Sequence, residues 1–579
     1  MAAPPAVQFV ALRWHEFFDP YTPDSFQPRL CQLPTLVDEI HSAARDALAN
    51  PEHNQTPPLR EELKSKLAGI VESEVCTEHQ KFLLRTIAQQ ENPGIIRDAA
   101  SHLISEGFRF EYEKAVLEKG RVVIPEAFSG KNLKSSADAW LGAWASLALD
   151  RGYLSRDDRI KPKLDLLTQP IDSLLGDIES RLDGKMRRYT CVLNVRLSPS
   201  VREAEITDVR AMVCAVLEKS GGNKTPDGTV PVLSDGIAFH ADLEAVGGQA
   251  AVAQFNRQIQ PALNLLNLYR NSPTTQRVRD GWYGSNLQDL QSTKVRELTL
   301  QKLHPRSNAA DLTLNALAQR DAAGKMDPTI ANALELYHVA MGTEDSRVRF
   351  LTLWSALECI AQSVDGGRTM ERVSKLVTPI VVWRRMEKHL RYLAISLKFL
   401  RQSNPALKKE IIAALPNATN DEVTVEDVLE TLTKPDKHPR LTSLGAHCTN
   451  HSLLVWRIKS AWEFYHSPCE LRRDLTVART RLDWQLSRIY RARNLLIHRG
   501  EESNLMPHLS INLQYYFSTV VSRLLHGVGQ HKDKTAREAA YRWCHQYDYV
   551  VDQLASKPGA LRMMDILPSP SRPEADPLW

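Results

Sequence analysis

Leu482-Asp483-Trp484-Gln485-Leu486-Ser487-Arg488-Ile489-Tyr490-Arg491-Ala492-Arg493-Asn494-Leu495-Leu496-Ile497-His498-Arg499-Gly500 decides the fold class. With residues spaced at about 100° around a helix axis, Leu482, Leu486, Ile489, Leu496 and Ile497 fall on one arc. That stripe predicts an amphipathic helix over Leu475–Arg499, and Gly500 supplies the left-handed residue that commonly ends one. Arg491, Asn494 and His498 (i, i+3, i+7) fall together on the opposite side, near Trp484 and Arg488, so they can share one polar cleft. Arg493 projects from the middle of the apolar arc. A guanidinium there needs a partner, because burying an unpaired charge is very costly.

Outward from this segment, every strong pattern after Pro328 is helical: Ile330–Met341, Arg347–Val364, Thr369–Gln402, Leu453–Tyr465, His508–Leu525 and Ala536–Leu554. In Arg347–Val364, Leu351, Trp354, Leu357 and Ala361 form an apolar arc with Glu358 at its edge. One acid and one base, each near the packed face of its helix, predict a Glu358–Arg493 contact that braces the end of the motif helix. The first ~185 residues also read as helices, with Leu59–Ser73 and Thr77–Gln90 periodic and Pro51–Pro58 a linker or loop. Tyr189, Cys191, Leu193, Val195 and Leu197 alternate as a strand does, and Val230–Phe239 holds one or two more short strands. Ala250–Tyr269 returns to helix. The expected fold is mainly α: a helical N-terminal region (1–185), a small mixed α/β middle segment (186–325), a C-terminal helical bundle (326–555) with an insertion near 403–450, and a Pro-rich tail (556–579).

A chain of 579 residues has ample material for real cores, and 43% apolar with 25% charged residues is ordinary globular composition. Eight scattered cysteines do not make a disulfide framework at this length. No apolar run reaches the roughly 18 residues of a membrane span, and Met1–Val10 lacks the basic start of a secretory signal. The expected location is the cytoplasm, with no membrane partner. The net charge of +4 is unevenly placed: residues 472–500 carry +6, residues 384–401 carry +5, and the remainder is net negative. Two basic helices in one region are the footprint of a polyanion binder, though solvated helix faces give the same count.

Arg493-Asn494, three residues, then His498 resembles the arginine, four-to-six-residue gap, histidine signature of the HEPN superfamily. Arg384 to His389 has the same gap, but reads as a solvated basic helix. Leu353-Trp354-Ser355-Ala356-Leu357-Glu358 is similar to the helix upstream of the motif in the Apea-like branch, and Asn512-Leu513-Gln514-Tyr515-Tyr516-Phe517 to the helix that follows it. The likeness covers residues 326–555; the N-terminal half resembles nothing recognised.

The resemblance implies an endoribonuclease of a prokaryotic anti-phage defence or toxin-type system, with Arg493, Asn494 and His498 catalytic. RNA carries its own nucleophile, the 2′-OH. Histidine moves protons near neutral pH, and arginine grips phosphate with a planar fork of donors. His498 would act as general base or acid, an arginine would stabilise the phosphorane-like transition state, and Asn494 would orient the histidine or a phosphate oxygen. Products would be a 2′,3′-cyclic phosphate and a 5′-OH, with no metal required. One histidine does not easily serve as both base and acid, and the family's answer is a homodimer with facing motifs. Arg488, Arg491 and Arg499 are candidate phosphate contacts, Glu358 a structural support. The wheel places Arg491 nearer His498 while the signature selects Arg493, so the catalytic arginine stays open between them. Expected partners are RNA, transfer RNA among them, and a phage-derived trigger or regulatory protein at the N-terminal region.

A different class of protein fits the same residues: a catalytically silent HEPN-like helical protein that binds RNA or a partner. A histidine beside a C-cap glycine also complements the helix dipole without any catalytic role. Cys448, His451, His466 and Cys469 flank a helix with ligand types that a structural zinc could use. Cys76 and His79 form half of such a set with no second pair.

Overall fold

The computed structural model describes residues 4–18, 32–128, 134–151, 169–182, 187–197, 236–245, 275–285, 290–294, 327–343, 345–403, 423–433, 451–503, 505–530 and 535–556, with parts of 248–259, 411 and 415. The fold is mainly α. Among the described residues, nine α-helices precede the sheet: α1 (Pro5–Phe18), α2 (Leu33–Ala49), α3 (Thr56–Leu67), α4 (Ile70–Val75), α5 (Glu78–Gln89), α6 (Pro93–Ser105), α7 (Phe108–Glu126), α8 (Lys134–Asp150) and α9 (Ile171–Arg181). Pro51–Pro58, expected as a loop, holds a 3₁₀ turn at Pro51–His53 and the start of α3. The helix expected over Leu59–Ser73 is two helices, α3 and α4, divided at Gly69. The first turn of α5 is fixed by a capping box: Thr77 Oγ1 accepts from the Gln80 amide (3.2 Å) and Gln80 Oε1 accepts from the Thr77 amide (3.0 Å).

Four antiparallel strands make one sheet in the order β2-β1-β3-β4: β1 (Arg187–Leu197), β2 (Gly236–Ala245), β3 (Thr275–Gly284) and β4 (Gln291–Lys294). Tyr189, Cys191, Leu193 and Val195 line one buried face with Phe239, Ala241 and Phe255, as the alternation predicts. The described residues from 248 to 259 are helical.

The C-terminal bundle contains α10 (Pro328–Gly342), α11 (Ser346–Ala361), α12 (Thr369–Ser403), α13 (Val425–Thr433), α14 (Ser452–Tyr465), α15 (Pro468–Arg499), α16 (Met506–Gln530) and α17 (Ala536–Ser556). Side-chain caps set the starts of α10 and α11, where Asp327 and Asp345 accept from the first free amides. Helix α15 extends further toward the N-terminus than its apolar period, because Ser467 caps it and Pro468 occupies its first turn. Most of the 403–450 insertion and the tail from 557 lie outside the described residues.

The N-terminal helices have their own core, yet Leu453 of α14 is buried in it and Trp456 and Leu505 pack against it. A buried charge cluster pins the two halves together. Glu16 of α1 accepts from Arg13 (3.0 Å), Arg457 (2.5 and 3.2 Å) and Tyr392 (2.6 Å). Four donor contacts on one carboxylate are what lets it lie buried.

The basic segment 384–401 departs from expectation. Arg384, Lys388 and Arg401 are buried, not solvated. Arg384 donates to Glu387 at 2.9 Å, Arg523 pairs with the same carboxylate, and the Lys388 ammonium lies 5.9 Å from the centre of the Tyr515 ring. Charge counted along the chain therefore overstates what this helix offers to a polyanion. Among the described residues no helix is long and apolar enough to cross a membrane.

Candidate functional site

The motif residues sit in the last turns of α15, which ends at Gly500 with φ 67°. The Gly500 amide returns to the Leu496 carbonyl (3.1 Å) and the Glu501 amide to the Leu495 carbonyl (3.4 Å). These bonds satisfy carbonyls that the helix end would otherwise leave open, and φ of this sign is why a glycine stands there.

The three segments that carry the family resemblance meet around this helix. Trp354 of α11 packs on Tyr490 with ring centroids 5.8 Å apart. Asn512 of α16 donates to Gln485 Oε1 at 3.1 Å, and Tyr516 and Phe517 are buried in the shared core. Glu358 reaches Arg493, with Oε1 and Nη2 4.0 Å apart. The expected contact exists, but it is looser and wetter than the wheel implied. Both side chains keep about a quarter of their exposure, 25% and 23%. Arg493 also donates from Nη1 to Asn494 Oδ1 at 3.1 Å.

His498 is exposed and makes no hydrogen bond or ion pair among the described residues. Asn494 precedes it by one turn on the same side of the helix. Ile497, expected on the apolar arc, is exposed (46%), while Trp484, Arg488 and Arg491, expected on the opposite, polar side, are buried. The reason is a second packing partner. Helices α2 and α3 cover the side of α15 that faces away from the bundle core. Arg488 Nε lies 3.0 and 2.8 Å from the two Glu39 carboxylate oxygens, and its Nη2 donates to Glu62 at 2.8 Å. Arg491 Nη1 donates to the Glu39 carbonyl at 2.8 Å and its Nη2 lies 3.9 Å from Asp46. Arg499 Nη1 donates to Asp46 at 2.6 Å.

These environments shift the guanidinium groups in opposite directions. Burial lowers the pKa of Arg491 despite Glu39 and Asp46. The hydrogen bond and charge of Asp46 raise that of Arg499. Of the three candidate phosphate contacts, Arg499 alone is exposed; Arg488 and Arg491 are buried against acids of the N-terminal helices. Other exposed basic groups on the helix are Arg472, Arg473 and Arg479. The acids Glu39, Asp46 and Glu62 left no trace in local spacing, because they lie 426 to 453 residues from their partners.

The zinc candidates do not converge. His451 immediately precedes the fourteen-residue α14 and His466 immediately follows it. At 1.5 Å per residue these positions, fifteen residues apart, are about 22 Å apart, far beyond a shared ion. His466 instead stacks on Trp462 (4.0 Å, 19°), Cys469 is exposed, and Cys448 lies outside the described residues. Another group of metal-ligand side chains does converge elsewhere: His79, His102 and Glu106, with ligand atoms all within 4.8 Å of one another. No family model, no curated protein and no solved structure matches the chain.

Proposed function

We propose that the chain is a metal-independent endoribonuclease that works as a homodimer in the cytoplasm, within a prokaryotic anti-phage defence or toxin-type system. The observation that carries this reading is the end of α15, where an imidazole that is exposed and unpartnered among the described residues stands one turn beyond Asn494 and follows Arg493 by five residues. His498 would take the 2′-OH proton as the oxygen attacks the adjacent phosphorus. The bond from phosphorus to the 5′ oxygen then breaks, and the leaving oxygen takes a proton from a second imidazole, supplied by the facing copy of the motif. Arg493, half-buried and steadied by Glu358 and Asn494, would hold the non-bridging oxygens. Arg472, Arg473, Arg479 and Arg499 are the exposed charges that would draw in RNA.

A second reading draws on the buried arginines. Arg488 and Arg491 hold acids and a carbonyl of α2 and α3, so the basic helix already serves as an internal docking seat. In that reading the protein is a silent HEPN-like binder of RNA or of a partner. The deciding experiment incubates full-length protein with total RNA and with transfer RNA in EDTA, wild type against His498→Ala, and analyses the new ends. Histidine-dependent 2′,3′-cyclic phosphate and 5′-OH ends support the nuclease. Intact RNA, or cleavage that survives in folded His498→Ala, supports the binder.

A further inference from the structure

We propose that His79, His102 and Glu106 form a zinc-binding site that staples helix α5 to the end of helix α6. The three side chains come from two helices that pack side by side. His79 lies in the first turn of α5, while His102 and Glu106 lie one turn apart at the C-terminal end of α6. Glu106 Oε2 is 3.6 Å from His79 Nε2, and Oε1 is 3.3 Å from His102 Nε2. The two rings stand edge to face, 5.8 Å between centroids at 87°.

Ligand atoms on a tetrahedral zinc with bonds of 2.0–2.1 Å are separated by about 3.3 Å. Glu106 approaches each imidazole at close to that spacing, through a different carboxylate oxygen in each case. Closing the remaining gap needs only rotation of exposed side chains about fixed backbones. Those backbones are held: the Thr77–Gln80 capping box sets the turn that carries His79, and Gln80 is tied by a 2.8 Å bond to Glu111 of α7. The His102 carbonyl accepts both the Glu106 amide (3.0 Å) and Ser105 Oγ (2.8 Å).

Glu106 sits at the carbonyl end of α6, where the helix dipole disfavours negative charge. Among the described residues its carboxylate has no Lys or Arg partner, only the two imidazoles. The nearby Lys81 is engaged with Glu78 at 2.8 Å. Two neutral imidazoles and one carboxylate are a borderline-soft donor set that suits zinc over calcium or magnesium. Cys76, three residues before His79, is buried, and its thiol is not among the converging exposed ligand atoms. A water completes the coordination, leaving a three-ligand site open to solvent.

The test uses the full-length chain, freed of metal with EDTA and of any affinity tag. It is titrated with ZnCl2 by calorimetry and with CoCl2 by visible absorption. Wild type is expected to bind one equivalent of zinc that the His79→Ala/His102→Ala variant does not bind. His102→Ala alone is expected to weaken that equivalent at least about tenfold, since even outer-shell changes at metal sites cost that much. Cobalt should show the intense visible bands of a four-coordinate site in wild type only. Circular dichroism guards against misfolding, and all three side chains are exposed. Absence of zinc binding in wild type, or equal affinity in the folded double variant, overturns the proposal.

Discussion

Arg488 of the motif helix donates to Glu62, a residue 426 positions earlier in the chain whose side chain is wholly buried. The helical wheel sets Arg488 beside a polar cleft, as a candidate phosphate contact. The structure uses it to seat the N-terminal helices on the bundle.

Removing that arginine should be expensive. Arg488→Ala leaves the Glu62 carboxylate buried without a cation, and breaking such a pair from one side costs about 3–5 kcal/mol. Arg472→Ala, on the exposed face of the same helix, should cost nothing measurable, because isolated surface charges contribute little. Denaturant unfolding of the two variants checks the contrast, and equal midpoints would refute it.

The Glu358–Arg493 pair makes the opposite point. Sequence alone named both partners, since each lies beside an apolar arc of its own helix. It did not give the separation or the degree of burial, which depend on how the two helices are offset. At 4.0 Å, with both side chains about a quarter exposed, the pair belongs with surface ion pairs of about 0–1 kcal/mol. Glu358→Gln should therefore lower the melting temperature only slightly. A loss of several kcal/mol would mean that the pair is more deeply closed in solution.

Why one pair was legible and the other was not follows from the reach of periodicity. A helical wheel reports that a side is apolar, and it predicted the core stripe of α15 correctly at Leu482, Leu486, Ile489 and Leu496. It assumes that every other side meets water. Trp484, Arg488 and Arg491 break that assumption because α2 and α3 cover them. Ile497 breaks it in the other direction, being exposed although the adjacent Leu496 is buried in the core. The strand at Tyr189–Leu197 and the long helices of the bundle were legible, since their periods extend over many residues. The split at Gly69 was less so, because a single glycine inside a continuing apolar pattern does not say whether the helix bends or stops. The His79–His102–Glu106 cluster joins two helices, and only its His102/Glu106 half has a recognisable spacing.

Acid should weaken the bundle through Asp474. Burial pushes its carboxyl up, but Arg385, bonded at 2.5 and 3.4 Å, outweighs that and holds it below the usual carboxylate range. As pH falls, the unfolded chain takes up this proton first, near the ordinary value of about 3.9. Stability from the pair is thus fully present above that value and is lost as pH falls through the lower, folded one. Asp474→Asn should flatten part of the acid limb of a stability–pH curve while leaving its slope between pH 6 and 8 unchanged. An unaltered acid limb would show that the pair does not contribute.

The catalytic reading predicts a separable pattern across the motif. His498 is exposed and unpartnered among the described residues, so His498→Ala should retain the wild-type melting curve. Loss of a general acid–base group should still lower cleavage by about 10²–10⁴-fold or more. Arg493 is half-buried, so Arg493→Ala should lose about 10²–10³-fold in kcat with a small stability cost, if it faces the transition-state charge. Arg491 is held by the Glu39 carbonyl, so Arg491→Ala should lose stability as well. That split also decides between the two arginines. If Arg491→Ala, measured well below its melting temperature, lowers kcat as much as His498→Ala while Arg493→Ala does not, the buried arginine is the catalytic one and α2 must move to release it. If neither arginine variant nor His498→Ala changes cleavage in folded protein, the end of α15 is not where RNA is cut.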